Sequence, residues 1–187
     1  MPIPPFDSIK NVLPPHLGNP TQPSDLSPYP CTVAELSSRF ATSAKRKQIL
    51  MGFLELRAIL FSLGIRGFQW LSGSFLENIE VLERRDPGDI DVVTFVDCQE
   101  SPEAWYSFIV SAGKEEILDF SWTKENYFVD HYVIPLSSGP AEIVDLTRYW
   151  YGLFSHRRDL LWKGMLVVDL ADIADDEAAR ALLAGAP

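Results

Sequence analysis

The segment LSGSFLENIEVLERRDPGDIDVVTF, residues 71–95, closes an apolar run with Gly73 and Ser74 and then sets Asp89 and Asp91 on either side of one isoleucine. In a β-strand, positions i and i+2 project from one face, about 7 Å apart along the chain. Two carboxylates on one pleat repel each other, and each loses hydration if it is buried, so the pattern predicts a positive charge between them. A divalent cation meets that requirement. Mg²⁺ takes a few carboxylates together with water and phosphate oxygens, and a pair of such ions can hold both the attacking and the leaving oxygen of an in-line phosphoryl displacement. Gly73 and Ser74 supply the complementary half. A glycine permits close backbone approach, and successive N–H groups at the start of a short helix, with the Ser74 hydroxyl, form a cradle for phosphate. The competing reading of the aspartates is a pair of exposed edge-strand charges that oppose aggregation.

The order of an apolar residue, Gly-Ser, a spacer and Asp-x-Asp between apolar residues is here Leu71, Gly73-Ser74 and Asp89-Ile90-Asp91-Val92. It resembles the DNA polymerase β-type nucleotidyltransferase superfamily, and within it the minimal nucleotidyltransferases of bacteria, over roughly residues 43–170. The resemblance implies Mg²⁺, as two ions, or Mn²⁺. It also implies transfer of a nucleoside monophosphate, AMP from ATP first among them, to a hydroxyl with release of pyrophosphate. The acceptor would be a protein side chain, as in antitoxins that adenylylate a partner toxin, an RNA end, or a small molecule such as an aminoglycoside. Asp89 and Asp91 would bind both metals, and Gly73 and Ser74 the β- and γ-phosphates.

Members of that superfamily carry a third carboxylate on a following strand, where it binds the catalytic metal and helps deprotonate the acceptor. Asp130 in YFVDHYVIPL and Asp145 in AEIVDLTRYW compete for the role, and Asp130 is preferred because it lies in a strand pattern and Asp145 in a helical one. The spacer between Ser74 and Asp89 is long for the pattern, which puts the shape of the pocket in question. A triphosphate also draws on basic side chains. FSHRRDLLWKGM offers Arg157, Arg158 and Lys163, with Lys163 preferred and a solvated basic turn as the other reading. A second function class is compatible with the same residues: a catalytically weak module of this fold that binds a partner, as an antitoxin or defence-system subunit.

The elements that must position these groups follow from periodicity and turn chemistry. Thr32 with Glu35 is a capping-box signature. Ile49, Phe53, Leu56, Leu60 and Leu63 recur at helical spacing from about Ser43 to Gly64, with Lys45, Arg46 and Lys47 as a solvated first turn. RGFQWLSGSF reads as a strand, LENIEVLERR as a short helical stretch, DPGD as a turn, IDVVTFV as the clearest strand, and residues 102–118 as one helix. NYFVDHYVIPL is a third strand, residues 141–154 a helix, and GMLVVDL a last strand. His131 alternates to the strand face opposite Asp130 and reads as a packed or surface histidine. The aromatic groups at Trp105, Tyr106 and Phe108 and at Tyr149, Trp150 and Tyr151 read as core. The order predicts an α/β (α+β) fold, a small mixed sheet flanked by helices, of polymerase β-like nucleotidyltransferase type.

The chain of 187 residues suits one domain, and 47% apolar against 22% charged residues is a globular profile. Residues 1–30 are proline-rich and expected to run extended, tied down by Phe6, Val12, Leu13 and Tyr29; residues 31–170 form the nucleotidyltransferase-like domain; residues 171–187 are expected to be a solvated acidic tail. A net charge of −10 opposes a broad non-specific nucleic-acid footprint. The apolar stretch Ile49 to Ile65 contains Glu55 and Arg57 and reads as a core helix rather than a membrane span, and the first thirty residues hold no apolar leader, so a cytoplasmic protein is expected. Cys31 and Cys98 are expected as buried thiols.

Overall fold

The computed structural model describes residues 3–170 and 173–185. The proline-rich opening segment crosses the surface, yet Val12 and Leu13 are fully buried, and its last two residues form a strand, β1 (Tyr29–Pro30). Thr32 and Glu35 close the reciprocal cap that starts α1 (Val33–Phe40). The Ser43 side chain caps α2 (Ala44–Ser62), and Gly64 at φ +70° turns the chain out of it. Next come β2 (Gly67–Ser72), a 3₁₀ turn Ser74–Leu76, the single-turn α3 (Ile79–Leu82) and β3 (Ile90–Val96). α4 (Pro102–Ser111) ends before Gly113 at φ +63°, and a separate 3₁₀ turn Glu115–Leu118 follows, so the helix expected over residues 102–118 is broken in two.

α5 (Phe120–Tyr127) is a helix that periodicity did not anticipate, and it removes Asn126 to Phe128 from the strand expected there. β4 (Val129–Pro135), α6 (Pro140–Phe154), β5 (Leu166–Asp169) and α7 (Ile173–Gly185) complete the described chain. α7 corrects the expectation of a solvated tail: Ala179 and Leu183 are buried in the main core, and Asp176 pairs with Arg57. Residues 171, 172, 186 and 187 of that expected tail lie outside the described residues.

The architecture is α+β. Five strands form one mixed sheet in the order β1-β5-β2-β3-β4. β2 runs antiparallel to β3 and β5, while β3 and β4 are parallel, as are β1 and β5. One face of the sheet, with Leu71, Val92, Val96 and Val168, packs on α1, α2 and α7; the other, with Val93, Phe95 and Ile134, lies against Trp150 and Phe154 of α6. The expected aromatic core residues divide. Trp105 and Trp150 are buried, whereas Tyr106, Phe108 and Tyr149 stand exposed. Among the described residues no helix is long and apolar enough to cross a membrane.

A chain of hydrogen bonds crosses the helix-covered face of the sheet. Arg57 donates to both Asp176 oxygens and to Gln69 Oε1 at 2.7 Å; Gln69 Nε2 donates to Thr94 Oγ1 at 2.9 Å. His131 lies 2.8 Å from Thr94 Oγ1 through Nε2 and 2.9 Å from the Ile117 carbonyl through Nδ1. A carbonyl only accepts, so Nδ1 carries the proton and Nε2 accepts from the Thr94 hydroxyl. Every buried polar atom named in this chain has a partner, as burial requires. Burial holds the imidazole neutral, with a pKa lowered to about 4.

Candidate metal centre

The sheet register brings the carboxylates together. Ser72 at the end of β2 is the partner of Asp91 near the start of β3, and Asp91 is the partner of Asp130 near the start of β4. Asp89, two residues before Asp91, projects to the same side. One oxygen from each of Asp89, Asp91 and Asp130 lies within 4.8 Å of the others. The site therefore sits where the start of the parallel β3/β4 pair meets the end of β2, on the face covered by α6. The Ser72 hydroxyl anchors that helix end by donating to the Phe154 carbonyl at 3.1 Å.

Gly73 is the hinge of the arrangement. Its φ of +84° is a region that side-chain-bearing residues rarely enter, and a Cβ there would lie 2.9 Å from both Cγ and Oδ2 of Asp91. Glycine is thus required twice, by conformation and by the carboxylate packed against it. Ser74 begins the 3₁₀ turn, half-buried, with its carbonyl accepting from Glu77 N at 3.1 Å.

Three cations brace this turn from within. Arg46, expected as part of a solvated helix start, is 2% exposed and donates to the carbonyls of Phe75 and Glu77, both at 2.7 Å, while pairing with Glu80. Lys163 has a different first task from the phosphate contact expected of it: its buried ammonium donates to the Gly73 carbonyl at 3.0 Å and to Glu77 at 2.6 Å. Arg157 also pairs with Glu77, and further with Glu83 and Asp159. Gly164 answers to packing, since a Cβ there would lie 2.4 Å from the Pro14 carbonyl oxygen. Arg46 and Glu77 went unread because a charged residue in a helix's first turn or in a polar loop carries no periodic signal of burial.

The electrostatics follow from crowding. Burial first, then the charges of Asp89 and Asp130, push the Asp91 carboxyl up to about 6. Among the described residues Asp130 Oδ1 is buried with no hydrogen-bond partner. The sequence pattern predicts a positive charge between Asp89 and Asp91; the structure instead sets Lys124 of α5 between Asp89 and Asp130, its Nζ 2.6 Å from the first and 3.3 Å from the second. Its hydrogen bond to Asp89, before any other cause, holds its own pKa above the usual lysine value. Lys124 escaped the sequence reading together with the helix that carries it. Asp145, the competing third carboxylate, is on α6 with its side chain 77% exposed and pairs locally with Arg148.

The donor set fits a hard divalent cation. Among the described residues it offers three carboxylates, one with an oxygen buried without a partner, at a locus that already draws in an ammonium. The fold and this site together define an α+β protein with a three-aspartate cluster at the end of a mixed sheet. The chain belongs to a family of unknown function, DUF6932, whose model matches residues 4–169. No curated protein and no solved structure matches it.

Proposed function

We propose that the chain is a metal-dependent nucleotidyltransferase, moving a nucleoside monophosphate, AMP from ATP in the simplest case, to a hydroxyl. The observation that carries this reading is the placement of Asp91 between Gly73 on one side and its register partner Asp130 on the other. Asp89, Asp91 and Asp130 would hold Mg²⁺ or Mn²⁺, which when bound supplies neutralisation of charge on the transferring phosphoryl group. The Gly73-Ser74 turn, braced by Lys163 and Arg46, presents backbone to the triphosphate without a side chain in the way. Asp130 stands one strand further from that turn than Asp91, which suits it to the acceptor side. There it would take the proton of the attacking hydroxyl as the new oxygen–phosphorus bond forms and the bond to pyrophosphate breaks. A protein, an RNA end or a small molecule would each present such a hydroxyl.

The ammonium of Lys124 among the carboxylates favours a second reading, a binding module of the same fold that needs no metal, such as an antitoxin or defence-system subunit. Thermal denaturation with Mn²⁺ and a non-hydrolysable ATP analogue separates the two. Binding to the native state alone stabilises it by about 2.7 kcal/mol at a hundredfold excess over the dissociation constant. A raised Tm supports the enzyme, and no shift with any of the four nucleotides supports the metal-free module.

A further inference from the structure

We infer that Lys124 is a resident counter-cation of the three-aspartate site, which a divalent cation must displace, so that this lysine sets the metal concentration at which the site fills. The inference deepens the metal-binding reading and rests on it.

Lys124 is held in place by the elements around it. α5 is capped at its C-terminal end by Phe128, a non-glycine residue at φ +58°, a conformation that is uncommon for a bulky side chain. Two contacts fix that turn: the Phe128 carbonyl accepts from Ile90 N at 3.0 Å, and the Lys45 ammonium lies 3.7 Å from the Phe128 ring centroid. On the other side Gly52 of α2 admits the backbone of α5 so closely that a Cβ there would fall 1.9 Å from the Tyr127 carbonyl oxygen. The last turn of α5 is therefore locked between α2 and β3, and Lys124 is carried on that turn.

The contact itself is made to yield. Lys124 is 51% exposed, against 17% for Asp89 and 21% for Asp130, so its ammonium can return to water while the carboxylates stay in place. A half-exposed ion pair contributes about 1 kcal/mol or less, because water screens it and the side chain loses freedom in making it. A dication coordinated by three carboxylates outweighs that, and the lysine lowers its apparent affinity by only a modest factor. With the ion bound, the displaced ammonium remains tethered at the mouth of the site, on the side of Asp89 and Asp130.

Direct Mn²⁺ binding to the nucleotide-free full chain, followed by electron paramagnetic resonance of free Mn²⁺, tests this in the wild type, Lys124→Gln and Lys124→Arg. Lys124→Gln should bind Mn²⁺ more tightly, by up to about fivefold, the factor that about 1 kcal/mol represents, and Lys124→Arg should behave as the wild type. Circular dichroism melting of the same samples confirms that each variant is folded. Equal or weaker Mn²⁺ affinity in Lys124→Gln than in the wild type overturns the role of Lys124 while leaving the metal site standing. Failure of all three proteins to bind Mn²⁺ overturns the metal site itself and this inference with it.

Discussion

Asp91 on β3 and Asp130 on β4 are direct partners in a parallel pair, and their carboxylates rise from the same face of the sheet. The strand ladder fixes that proximity, so the two groups meet whether or not a ligand is present. On the proposed activity, Asp130→Ala is expected to lower nucleotidyl transfer by several orders of magnitude while nucleotide binding is largely kept, because the proton acceptance proposed for it matters only in the transition state. Asp145→Ala, with its side chain in solvent, should leave turnover within about twofold of wild type, as surface changes usually do. Single-turnover kinetics of the two variants decides the assignment, and reversed effects would move the role to α6.

Two groups of opposite sign, His131 and Asp91, should shape the response of the protein to pH. His131 has a folded pKa near 4, below its ordinary 6.5, so its contribution is complete above pH 6.5 and is lost as the pH falls through about 4. The full difference is about 3 kcal/mol at 1.36 kcal/mol per unit. Asp91 has a folded pKa near 6, above its ordinary 3.8, so its contribution is present below pH 3.8 and is lost as the pH rises through about 6. Asp91→Asn removes the second trend and leaves that of His131 together with the loss on acidification from carboxylates held low, such as Glu80 beside Arg46. In urea denaturation, stability should fall more steeply from pH 6.5 to pH 4 in that variant than in Asp91→Asn combined with His131→Gln, and equal slopes would mean that His131 is not held neutral.

At pH 7 the same substitution has a further effect. The wild type keeps Asp91 ionised beside two other carboxylates, at a cost set by the raised pKa, and Asn carries no charge there. Asp91→Asn without metal should be more stable than the wild type by about 1–3 kcal/mol, and the advantage should shrink or reverse when Mn²⁺ is added. Paired urea titrations with and without Mn²⁺ check it. A variant less stable than wild type under both conditions would identify Asp91 as a structural acceptor.

The elements that were legible in the sequence are those whose burial leaves a period. Ile49, Phe53, Leu56 and Leu60 are all fully buried on α2, and the β-branched run Ile90 to Val96 is a strand flanked on both sides, as its composition predicts. The Asp-x-Asp spacing was readable for the same reason, since strand alternation alone sets both groups on one face. α5 was not readable: only Thr123 of its eight residues is buried, and its N-terminal cap comes from Asp119 rather than from an apolar repeat. Lys124 was lost with it. α7 was obscured by its charge, because DLADIADDEAAR reads as solvated until one knows that Arg57, 1% exposed inside α2, waits for a carboxylate. Long-range ion pairs of this kind have no local signature.

Gly73→Ala should be costly in two measurable ways. The backbone must hold a positive φ with a side chain present, and the new methyl group must push the Asp91 carboxylate away from 2.9 Å. Strain of this kind typically costs about 1–3 kcal/mol. Mn²⁺ affinity should fall together with stability, because the displaced group is a ligand in the proposed site. Loss of stability with unchanged Mn²⁺ affinity would show that the turn is needed only for folding.

The C-terminal helix gives the largest expected change in stability. Arg57 lies within the core and spends its guanidinium on Asp176, Gln69 and the Asp169 carbonyl, with only the first of these supplying a negative charge. Asp176 is itself held at 12% side-chain exposure, so the pair is shielded from water on both sides. Removing one partner of such a pair leaves a buried charge uncompensated and typically costs about 3–5 kcal/mol, whereas replacing both partners with apolar groups of similar volume is often close to neutral. Asp176→Ala should therefore lose stability on that scale in urea denaturation, and Arg57→Met combined with Asp176→Leu should recover most of it. Mn²⁺ affinity should be unchanged in Asp176→Ala at temperatures where the variant is folded, because α7 packs on α1 and α2, across the sheet from the aspartates. A loss under about 1 kcal/mol would mean that water reaches Arg57 and that α7 does not seal the core.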